Sequence, residues 1–397
     1  MRRKLKILHA VEQYLPSIGG MQEVVRQISE RMALKGHDVT IATSFNEKRD
    51  KKEFANVKIV DFKISGKIVD GIFGETNNYI DFLKKNEFDV IVNFAAEQWS
   101  TDVILPILNQ IKAKKVFVPT GFNSLNDKRY FNYYEMMKRY IFGYDVVVFL
   151  SNNFRDINFA KEIGIKNYQI IPNGADEKEF ENDLIVDIRK KLNILDTQFL
   201  ILHVGSHTGI KGHEELIKIF KKSKLRDAVL LIIGNDFGDG CFNACKKHQI
   251  AFNRSLFRKI DGKKILIETL NREETVSAYK NSDVFLFPSN VECSPIVLFE
   301  SMAAKLPFLV TDVGNSVEIV EWTNAGLILP TKKCGTNYSK ARVKQSAKML
   351  ENIYLNDLLR EELGNNGYKS WCERYSWSKI ADKYEEMYLK IVNYDSN

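Results

Sequence analysis

Cysteine is scarce in this sequence, and its few occurrences are scattered. The 397 residues include five, at Cys241, Cys245, Cys293, Cys334 and Cys372. An odd number at such wide spacing argues against a disulfide framework. Cys241 and Cys245 resemble half of a metal site, but no second Cys or His pair follows nearby, so buried thiols are the favoured interpretation. We therefore expect neither a metal ion nor a cofactor.

Long apolar runs are also lacking. No stretch reaches the roughly 18 apolar residues that a membrane-spanning helix needs. The basic start, Met1–Lys6, resembles the opening of a signal peptide, but the apolar run Ile7–Val11 that follows is too short for one. We expect a cytoplasmic protein, for which peripheral contact with the cytoplasmic membrane face stays open.

The chain has no dense basic stripe and no low-complexity tract. Its formal net charge is +7, from 58 Lys and Arg against 51 Asp and Glu, and the excess is spread along the chain. A nucleic-acid partner is therefore not expected. Anionic small molecules or an anionic membrane surface fit this modest excess better.

What the sequence does contain is an alternation of short apolar runs with longer amphipathic segments. In the helical pattern of Met21, Val24, Val25, Ile28 and Met32, one apolar stripe is evident. Runs that are apolar at successive positions are typical of buried parallel strands. In the first half these runs are Lys6–Val11, Val39–Ser44, Val57–Phe62, Asp89–Ala95, Lys115–Thr120, Asp145–Ser151 and Tyr168–Gly174.

The same pattern starts again near residue 199, which predicts a second domain. Its runs are Phe199–Ser206, Ala228–Gly234, Lys264–Leu270, Asp283–Ser289, Pro307–Gly314 and Ala325–Pro330. Strand–helix alternation predicts right-handed crossovers and a doubly wound parallel sheet. We therefore predict an α/β protein with two Rossmann-like domains that face a cleft.

The predicted domains are residues 1–178 and 179–377, with a final helix at about 378–397 packing back on the first domain. The polar, charged segment Ala175–Leu195 is the expected linker. From about Asn337 to Tyr394 we expect helices without strands. Because doubly wound sheets bind ligands beyond the carboxyl ends of their strands, the functional residues should lie in loops that follow strands.

The first such loop, Pro16–Gln22, lies between the opening strand and the first helix. Gly19 and Gly20 permit close approach of the backbone to a ligand, and the helix start offers N–H groups suited to a phosphate. A plain tight turn explains the two glycines equally well.

The second loop, Gly205–Gly212, also connects a strand to a helix. Its glycines and Lys211 suit a diphosphate, although the spacing is not that of a P-loop, which places Lys-Ser or Lys-Thr directly after its last glycine. The alternative is that Lys211 is a solvated surface lysine.

The third loop and its helix, Pro288–Ala304, carry the strongest signal. Ser294 is a good N-cap and Pro295 a good first helical residue, so the N–H groups of Ile296 and Val297 should be available to a ligand. Glu292 precedes this helix. Glu300 lies inside its apolar sequence and needs a partner, either a neighbouring Lys or Arg or the hydroxyl groups of a ligand.

With these segments in view, the chain resembles the retaining glycosyltransferases of family four, which have the GT-B fold. The resemblance covers nearly the whole length. It is carried by GGMQE after the opening strand, Gly36–Thr43, Ile170–Asp176, Val204–Ile217, Phe287–Ala304 with its two glutamates, and Tyr375–Tyr388.

This resemblance implies a metal-independent transferase of the hexosyltransferase type, acting on a UDP- or GDP-sugar with no cofactor. Lys211 would neutralise the departing diphosphate, Glu300 would hold the ribose hydroxyls, and Glu292 would hold the donor sugar. The donor-binding set it implies is Gly19, Gly20, Ser206, Lys211, Ser294, Ile296, Val297 and Glu300. The acceptor would be a glycan or a lipid-linked molecule, in the synthesis of cell-surface polysaccharide or glycolipid.

Three positions depart from the family pattern. Ser206 stands where many members have Arg, and Pro295 stands where Gly is common. The loop with Pro119, Thr120 and Gly121 stands where many members have His. Thr120 and Gly121 are the candidate acceptor-side residues, with the Thr120 hydroxyl replacing a histidine.

Two further points stay open from the sequence. In Asn123–Tyr140, a helix face with Tyr130, Tyr134, Met137 and Ile141 is either an interfacial face beside basic residues or a face packed in the core. The rival functions are a sugar-nucleotide epimerase of similar fold and a catalytically weak partner subunit.

Overall fold

The computed structural model describes residues 3–182, 186–236, 238, 240–255, 260–335 and 338–393. The chain forms two compact units. The first comprises Met1–Asn173 and Trp377–Asn397, and the second comprises Gly174–Ser376. The division thus falls slightly before the predicted boundary at 178, and the final helix belongs to the first unit. Residues 394–397 of the predicted final helix lie outside the described part of the chain.

The first unit is built on an eight-stranded sheet. Its order is β10-β9-β8-β7-β1-β2-β4-β3, and every neighbouring pair is parallel except β3 with β4. The strands are β1 (Lys6–Ala10), β2 (Asp38–Ser44), β3 (Glu53–Phe54), β4 (Val57–Phe62), β7 (Val90–Phe94), β8 (Lys114–Val118), β9 (Val146–Phe149) and β10 (Tyr168–Ile170), with a separate hairpin of β5 (Ile64–Lys67) and β6 (Gly71–Gly74).

Helices connect these strands. They are Gly20–Leu34, Thr76–Lys85, Trp99–Asp102, Phe131–Tyr140, Arg155–Glu162 and Trp377–Asn393, with 3₁₀ turns at Leu105–Gln110, Lys128–Tyr130 and Ile141–Gly143. In Gly20–Leu34 the stripe Val24, Val25, Ile28 and Met32 is buried, as its spacing predicts. The final helix is fastened to the first unit by Lys35, which contacts Asp382 (2.6 Å) and Glu385 (2.8 Å).

The second unit is built on a six-stranded, wholly parallel sheet of order β13-β12-β11-β14-β15-β16. Successive residues of a strand enter opposite cores: Leu200 and Leu202 belong to one apolar cluster, and Ile201 to another. Both faces are therefore covered, as in doubly wound folds. The strands are β11 (Phe199–Val204), β12 (Ala228–Ile233), β13 (Lys264–Glu268), β14 (Val284–Phe287), β15 (Phe308–Thr311) and β16 (Gly326–Leu329), followed by a hairpin of β17 (Thr331–Gly335) and β18 (Tyr338–Ala341).

Helices cover both faces of this second sheet. They are Glu177–Phe180, Ile188–Lys191, His213–Lys222, Cys241–Asn253, Arg272–Lys280, Ile296–Ala303, Ser316–Thr323, Val343–Leu355 and Asp357–Ser370, the last continued by a π-helical turn at Trp371–Tyr375. No helix in the described part of the chain is both long enough and apolar enough to cross a bilayer.

Every apolar run that the sequence analysis assigned to a strand forms one, with ends that differ by a few residues. The prediction of two Rossmann-like sheets is confirmed. The prediction that no strand lies between Asn337 and Tyr394 is wrong, because Tyr338–Ala341 pairs with Thr331–Gly335; Asn337 and Tyr394 themselves lie outside the described residues. Because Lys332 and Lys333 are charged and exposed, the sequence of this hairpin is typical of a loop.

The predicted linker Ala175–Leu195 is also wrong. Its described residues contribute Ala175, Phe180, Ile188 and Ile194 to the core of the second unit, whereas 183–185 lie outside the described part. A few buried anchors among many charges are enough to hold a segment on a core, and composition alone does not reveal them.

The face of Tyr130, Tyr134, Met137 and Ile141 lies in the core of the first unit, with each residue at most 4% exposed. The interfacial interpretation of that face is therefore wrong, and the core-packed alternative is right. The large apolar residues left exposed at the two ends of this helix are instead Phe131 (65%) and Phe142 (57%).

Candidate functional site

The strand order of the second unit reverses between β11 and β14, which are neighbours in the sheet. The chain leaves β11 toward β12 on one side and leaves β14 toward β15 on the other, an arrangement that in doubly wound sheets forms a crevice beside the loops that follow these strands. In doubly wound sheets this is where ligands bind. The two loops, 205–212 and 288–295, are those singled out from the sequence.

Lys211 and Glu292 meet between these two loops. The Lys211 ammonium donates to Glu292 Oε1 at 2.6 Å, and the Ser289 hydroxyl donates to the same oxygen at 2.7 Å. The Lys211 side chain is 25% exposed and that of Glu292 is 9% exposed. The pair thus presents a cation at the surface of the crevice, with its carboxylate partner more deeply buried.

Gly212 allows the first loop to approach the second. Its φ of +69° lies in the left-handed region, and an added Cβ would lie 1.8 Å from the carbonyl oxygen of Pro288. Only glycine fits such an approach. Two residues away along each loop, the Asn290 N–H donates to Ile210 O at 2.9 Å. The backbone therefore holds Lys211 opposite Glu292 independently of their charges.

The helix that follows the second loop starts one residue later than predicted. Pro295 is the N-cap, with ψ of 114°, and the helix runs from Ile296 to Ala303. Ser294 is not the N-cap; its hydroxyl instead accepts a hydrogen bond from Asn315 Nδ2 at 3.1 Å. Ile296 and Val297 remain in the first turn, half-buried, where helical N–H groups have no partner within the helix.

Glu300 lies on the same helix and has a cationic partner. Arg272 Nη1 is 2.7 Å from its Oε1, and the Nε of Arg272 donates to Glu179 Oε2 at 3.0 Å. Burial alone would lower the pKa of Arg272, but the two carboxylates, led by Glu300, raise that pKa well above its ordinary value. Burial raises the pKa of Glu179, and Arg272 opposes that rise. Two glutamates thus share one guanidinium.

In the first unit, Gly19 and Gly20 lie at the start of the helix Gly20–Leu34. Gly19 has an extended backbone and is the N-cap, without a side-chain capping bond, and Gly20 is exposed. The loop follows β1, which is where the strand order of this sheet reverses between β1 and β7. The helix start is therefore placed as an anion site would be.

Thr120 and Gly121 lie in a loop of unusual backbone geometry after β8. The φ angles of Thr120, Gly121 and Phe122 are all positive, at 60°, 104° and 46°. A β-branched residue rarely adopts such a φ, and strain of this kind concentrates at functional sites. The Gly121 N–H donates to Asp156 Oδ2 at 2.8 Å, and burial raises the pKa of Asp156 to about 6.

Of the predicted residues, Lys211 and Glu292 are brought into contact within the second unit. Glu300 stands apart from that ion pair with its own partner, and Ser206 is half-buried in the loop of Lys211. Arg272, Glu179 and Ser289 were missed. The sequence offered one indication of Arg272: it lies in the segment that follows β13, at the same edge of the sheet as the other two loops.

Two Rossmann-like units, a glycine-bearing loop with a lysine, and a helix with one glutamate before it and one inside it are together features of the glycosyltransferases of GT-B fold. Comparison with known proteins agrees. The family described as "Glycosyltransferase Family 4" matches residues 18–179, and "Glycosyl transferases group 1" matches residues 185–370.

Individual relatives lie in the same group. An uncharacterized glycosyltransferase of Methanocaldococcus jannaschii is 28% identical over 55% of this chain and 53% of its own length. The capsular polysaccharide biosynthesis glycosyltransferase CapM of Staphylococcus aureus is 26% identical over 66% and 65%. The N-acetyl-alpha-D-glucosaminyl L-malate synthase of Bacillus anthracis is 21% identical over 96% and 97%. The chain thus spans only about half to two thirds of the first two relatives.

Solved structures share the fold. A glycosyltransferase from Rickettsia africae superimposes with a TM-score of 0.78 at 17% identity, covering 98% of this chain and 99% of the other. HepE of Anabaena, in complex with UDP and glucose, has a TM-score of 0.74 at 12% identity, covering 96% and 99%. The chain belongs to the family 4 glycosyltransferases and has their GT-B fold.

Proposed function

We propose that this protein transfers a hexosyl group from a UDP- or GDP-sugar to a glycan or lipid-linked acceptor, with retention of the anomeric configuration and without a catalytic metal ion or cofactor. The product would belong to a cell-surface polysaccharide or glycolipid. The observation that carries the proposal is the contact of Lys211 with Glu292, made where the strand order of the second sheet reverses.

The chemistry follows from which charges develop during transfer. The bond from the anomeric carbon to the diphosphate oxygen breaks, and a bond to the acceptor oxygen forms on the same face. The acceptor proton passes to the departing diphosphate. Lys211 would stabilise the negative charge that grows on that group, and such preorganised electrostatic stabilisation is commonly the largest catalytic contribution.

Glu292 would hold the donor sugar, and the start of the helix Ile296–Ala303 would hold oxygen atoms of the donor. The Ser289 hydroxyl donates a hydrogen bond to Glu292 and so fixes the orientation of the Glu292 carboxylate. When the diphosphate engages Lys211, the Glu292 carboxylate is released to accept hydrogen bonds from donor-sugar hydroxyls. The first-turn N–H groups of Ile296 and Val297 suit anionic or hydroxyl oxygen atoms.

Glu300 would bind the ribose. Its partner Arg272 neutralises it through a contact of Nη1 with Oε1 at 2.7 Å. Vicinal ribose hydroxyls are recognised by such carboxylates in dinucleotide sites. In the first unit, Gly19 and Gly20 would contribute backbone contacts to the phosphates, and the strained loop at Thr120 would lie on the acceptor side.

The relatives support this choice of substrate class. The similar protein from Staphylococcus aureus is named for capsular polysaccharide biosynthesis, and the similar structure of HepE contains UDP and glucose. The proposal includes a cytoplasmic location. The five cysteines form no disulfide with one another, which fits a reducing compartment.

Contact with a membrane is part of the proposal for a lipid-linked acceptor. The exposed Phe131 and Phe142 flank a helix with the basic residues Lys138 and Arg139 in its last turn, and aromatic residues beside basic ones favour anionic lipid surfaces. Flotation with anionic vesicles should carry the wild-type chain and not the double variant Phe131→Ser/Phe142→Ser. Absence of flotation of the wild type would remove membrane contact while leaving transfer untouched.

Product analysis tests the transfer itself. Each of UDP, GDP and ADP is first screened by thermal shift, since a ligand of the folded state raises its melting temperature. The sugar donors of the nucleotide that binds are then incubated with and without a glycan acceptor mixture. We expect an acceptor-dependent product with the anomeric configuration of the donor, by NMR, and equal turnover with and without added Mg²⁺ or Mn²⁺.

Each alternative outcome has a distinct meaning. Conversion of the donor without any acceptor would identify an epimerase. Failure of all three nucleotides to raise the melting temperature would favour a partner subunit with a weak site. An inverted product, or turnover only with Mg²⁺ or Mn²⁺, would refute retention or metal independence.

A further inference from the structure

Two histidines and a cysteine from a later helix meet beside Lys211. His207 lies in that loop, His213 is the first residue of the helix His213–Lys222, and Cys241 is the first residue of the helix Cys241–Asn253. Their candidate ligand atoms all lie within 4.8 Å of one another. Cys241 Sγ is 3.7 Å from His207 Nδ1 and 3.8 Å from His213 Nδ1.

These separations suit a tetrahedral transition-metal site. With zinc–sulfur bonds of about 2.3 Å, zinc–nitrogen bonds of about 2.0–2.1 Å and a tetrahedral angle, a ligand sulfur and nitrogen lie about 3.6 Å apart. Each sulfur–nitrogen distance here exceeds that value by only a fraction of an ångström. The imidazole rings of His207 and His213 stack with centroids 4.1 Å and planes 18° apart, so coordination of one ion by both rings requires one ring to tilt.

The protonation pattern also suits metal binding. His213 Nε2 lies 3.3 Å from the carbonyl oxygen of Gly205, which can only accept a hydrogen bond, so the proton lies on Nε2 and the lone pair on Nδ1 faces Cys241. A backbone carbonyl on the far ring nitrogen is the usual support of a metal-bound histidine.

Cys241 is placed to ligate as a thiolate. Cys241 is the first residue of its helix, and the N-terminus of a helix stabilises negative charge on a ligand atom. His207 and His213 are both buried, at 0% and 2% exposed, whereas Cys241 retains partial exposure. The cluster therefore has a dry imidazole side and an entry path on the cysteine side.

We propose that His207, His213 and Cys241 bind a zinc ion that fastens the loop 205–212 to the helix Cys241–Asn253. Two neutral imidazoles and one thiolate select a borderline-soft cation such as Zn²⁺ over Mg²⁺ or Ca²⁺, which prefer oxygen. Water completes the tetrahedron. The ion holds the loop that carries Lys211 and takes no part in the transfer step, so this proposal is independent of the proposed transferase activity.

Metal content tests the site directly. The chain is produced in zinc-supplemented medium, desalted, and analysed by mass spectrometry for zinc per chain. We expect about one equivalent for the wild type, with a fall of tenfold or more in Cys241→Ser and in His207→Asn. Cys245→Ala is the matched control, because Cys245 lies one turn further along the same helix and packs in the apolar core; it should keep its zinc.

Cobalt substitution reports the ligand set and covers the case of a variant that folds poorly. The wild type loaded with Co²⁺ should show a thiolate-to-cobalt charge-transfer band and the intense visible bands of a tetrahedral site, as should Cys245→Ala. The wild type with less than a tenth of an equivalent of zinc and no such band would overturn the proposal. So would unchanged zinc content in both Cys241→Ser and His207→Asn.

Discussion

The ammonium of Lys211 lies 2.6 Å from Oε1 of Glu292, although 80 residues separate the two along the chain. Each belongs to a different loop, and each loop follows a different strand of the pair at which the sheet order reverses. A diphosphate that engages Lys211 must therefore compete with Glu292. Because of this competition, replacing Lys211 and replacing Glu292 should affect the interaction with the diphosphate in opposite directions.

Replacing Lys211 with Met should lower turnover by about 10²-fold or more, the scale observed when a charge-stabilising donor is removed. The matched control is Lys218→Ala in the helix that follows the loop, because Lys218 forms an exposed pair with Glu214 and should leave turnover within about twofold. Steady-state kinetics measure both. Normal turnover of Lys211→Met would contradict the site assignment.

Replacing Glu292 with Gln should separate binding from transfer. The free nucleoside diphosphate should bind about two- to fivefold more tightly, because Lys211 loses a partly buried carboxylate partner whose contribution is about 0.5–1 kcal/mol. Transfer should nevertheless fall, because one of the two carboxylate oxygens that can accept hydrogen bonds from the donor sugar is replaced by an NH2 group, which only donates. Calorimetric titration and turnover of the same preparation measure the two effects. Weaker nucleotide binding in this variant would show that Glu292 does not compete for Lys211.

Glu300→Ala should weaken binding of the nucleotide through its ribose. The expected loss is about tenfold or more, the scale of a hydrogen bond to a charged group. The same substitution should weaken binding of the corresponding 2′-deoxy nucleotide much less. Glu179→Gln is the matched control: it disturbs the same guanidinium of Arg272 and should preserve the preference for ribose. Equal losses for ribose and 2′-deoxy ligands in Glu300→Ala would assign Glu300 to structure alone.

Gly212→Ala should disrupt the contact between the two loops of the second unit. The added Cβ would lie 1.8 Å from the carbonyl oxygen of Pro288, so the loop must move away and carry Lys211 with it. Gly164→Ala is the control, because Gly164 also has a positive φ (+86°) but no atom within 4 Å of an added Cβ. It should cost only about 1 kcal/mol. We expect loss of nucleotide binding in the first variant, and full binding in the second, by titration.

His9 should make the first unit sensitive to acid. Burial lowers the pKa of His9 to about 3, and both ring nitrogens meet neutral partners, Ser29 at 2.7 Å and Tyr388 at 3.2 Å. The unfolded chain binds the proton near pH 6.5, so the contribution of His9 is fully present above that pH and is lost as the pH falls toward 3. Between pH 7.5 and 5 the loss should be about 2 kcal/mol.

Urea unfolding of the wild type and His9→Gln at these two pH values measures that loss. The stability difference between them should shrink by about 2 kcal/mol on acidification. The control variant His248→Gln removes an exposed histidine and tests whether loss of any histidine gives the same change. A pH-independent difference for His9→Gln would mean that His9 is not neutral in the folded state.

Continuous apolar runs determined which segments form strands, and hence the fold class. Runs such as Ala228–Ile233 are buried at every position, and only a two-sided core explains such a run, so the local pattern was sufficient. The local pattern did not predict short exposed strand pairs such as β17 with β18, because each strand is stabilised by its partner strand and not by its own composition. The buried anchors of 175–195 were hidden for the same reason.

The sequence also determined which loops carry Lys211, Glu292 and Glu300, because glycine, a helix-start proline and carboxylates in apolar segments are local signals. Only the tertiary structure decided what these groups contact: Arg272 beside Glu300, Ser289 beside Glu292, and Cys241 beside two histidines about thirty residues away. Parallel crossovers place loops that are distant along the chain at one sheet edge. Contacts between their side chains depend on register and helix starts, which spacing along the chain does not encode.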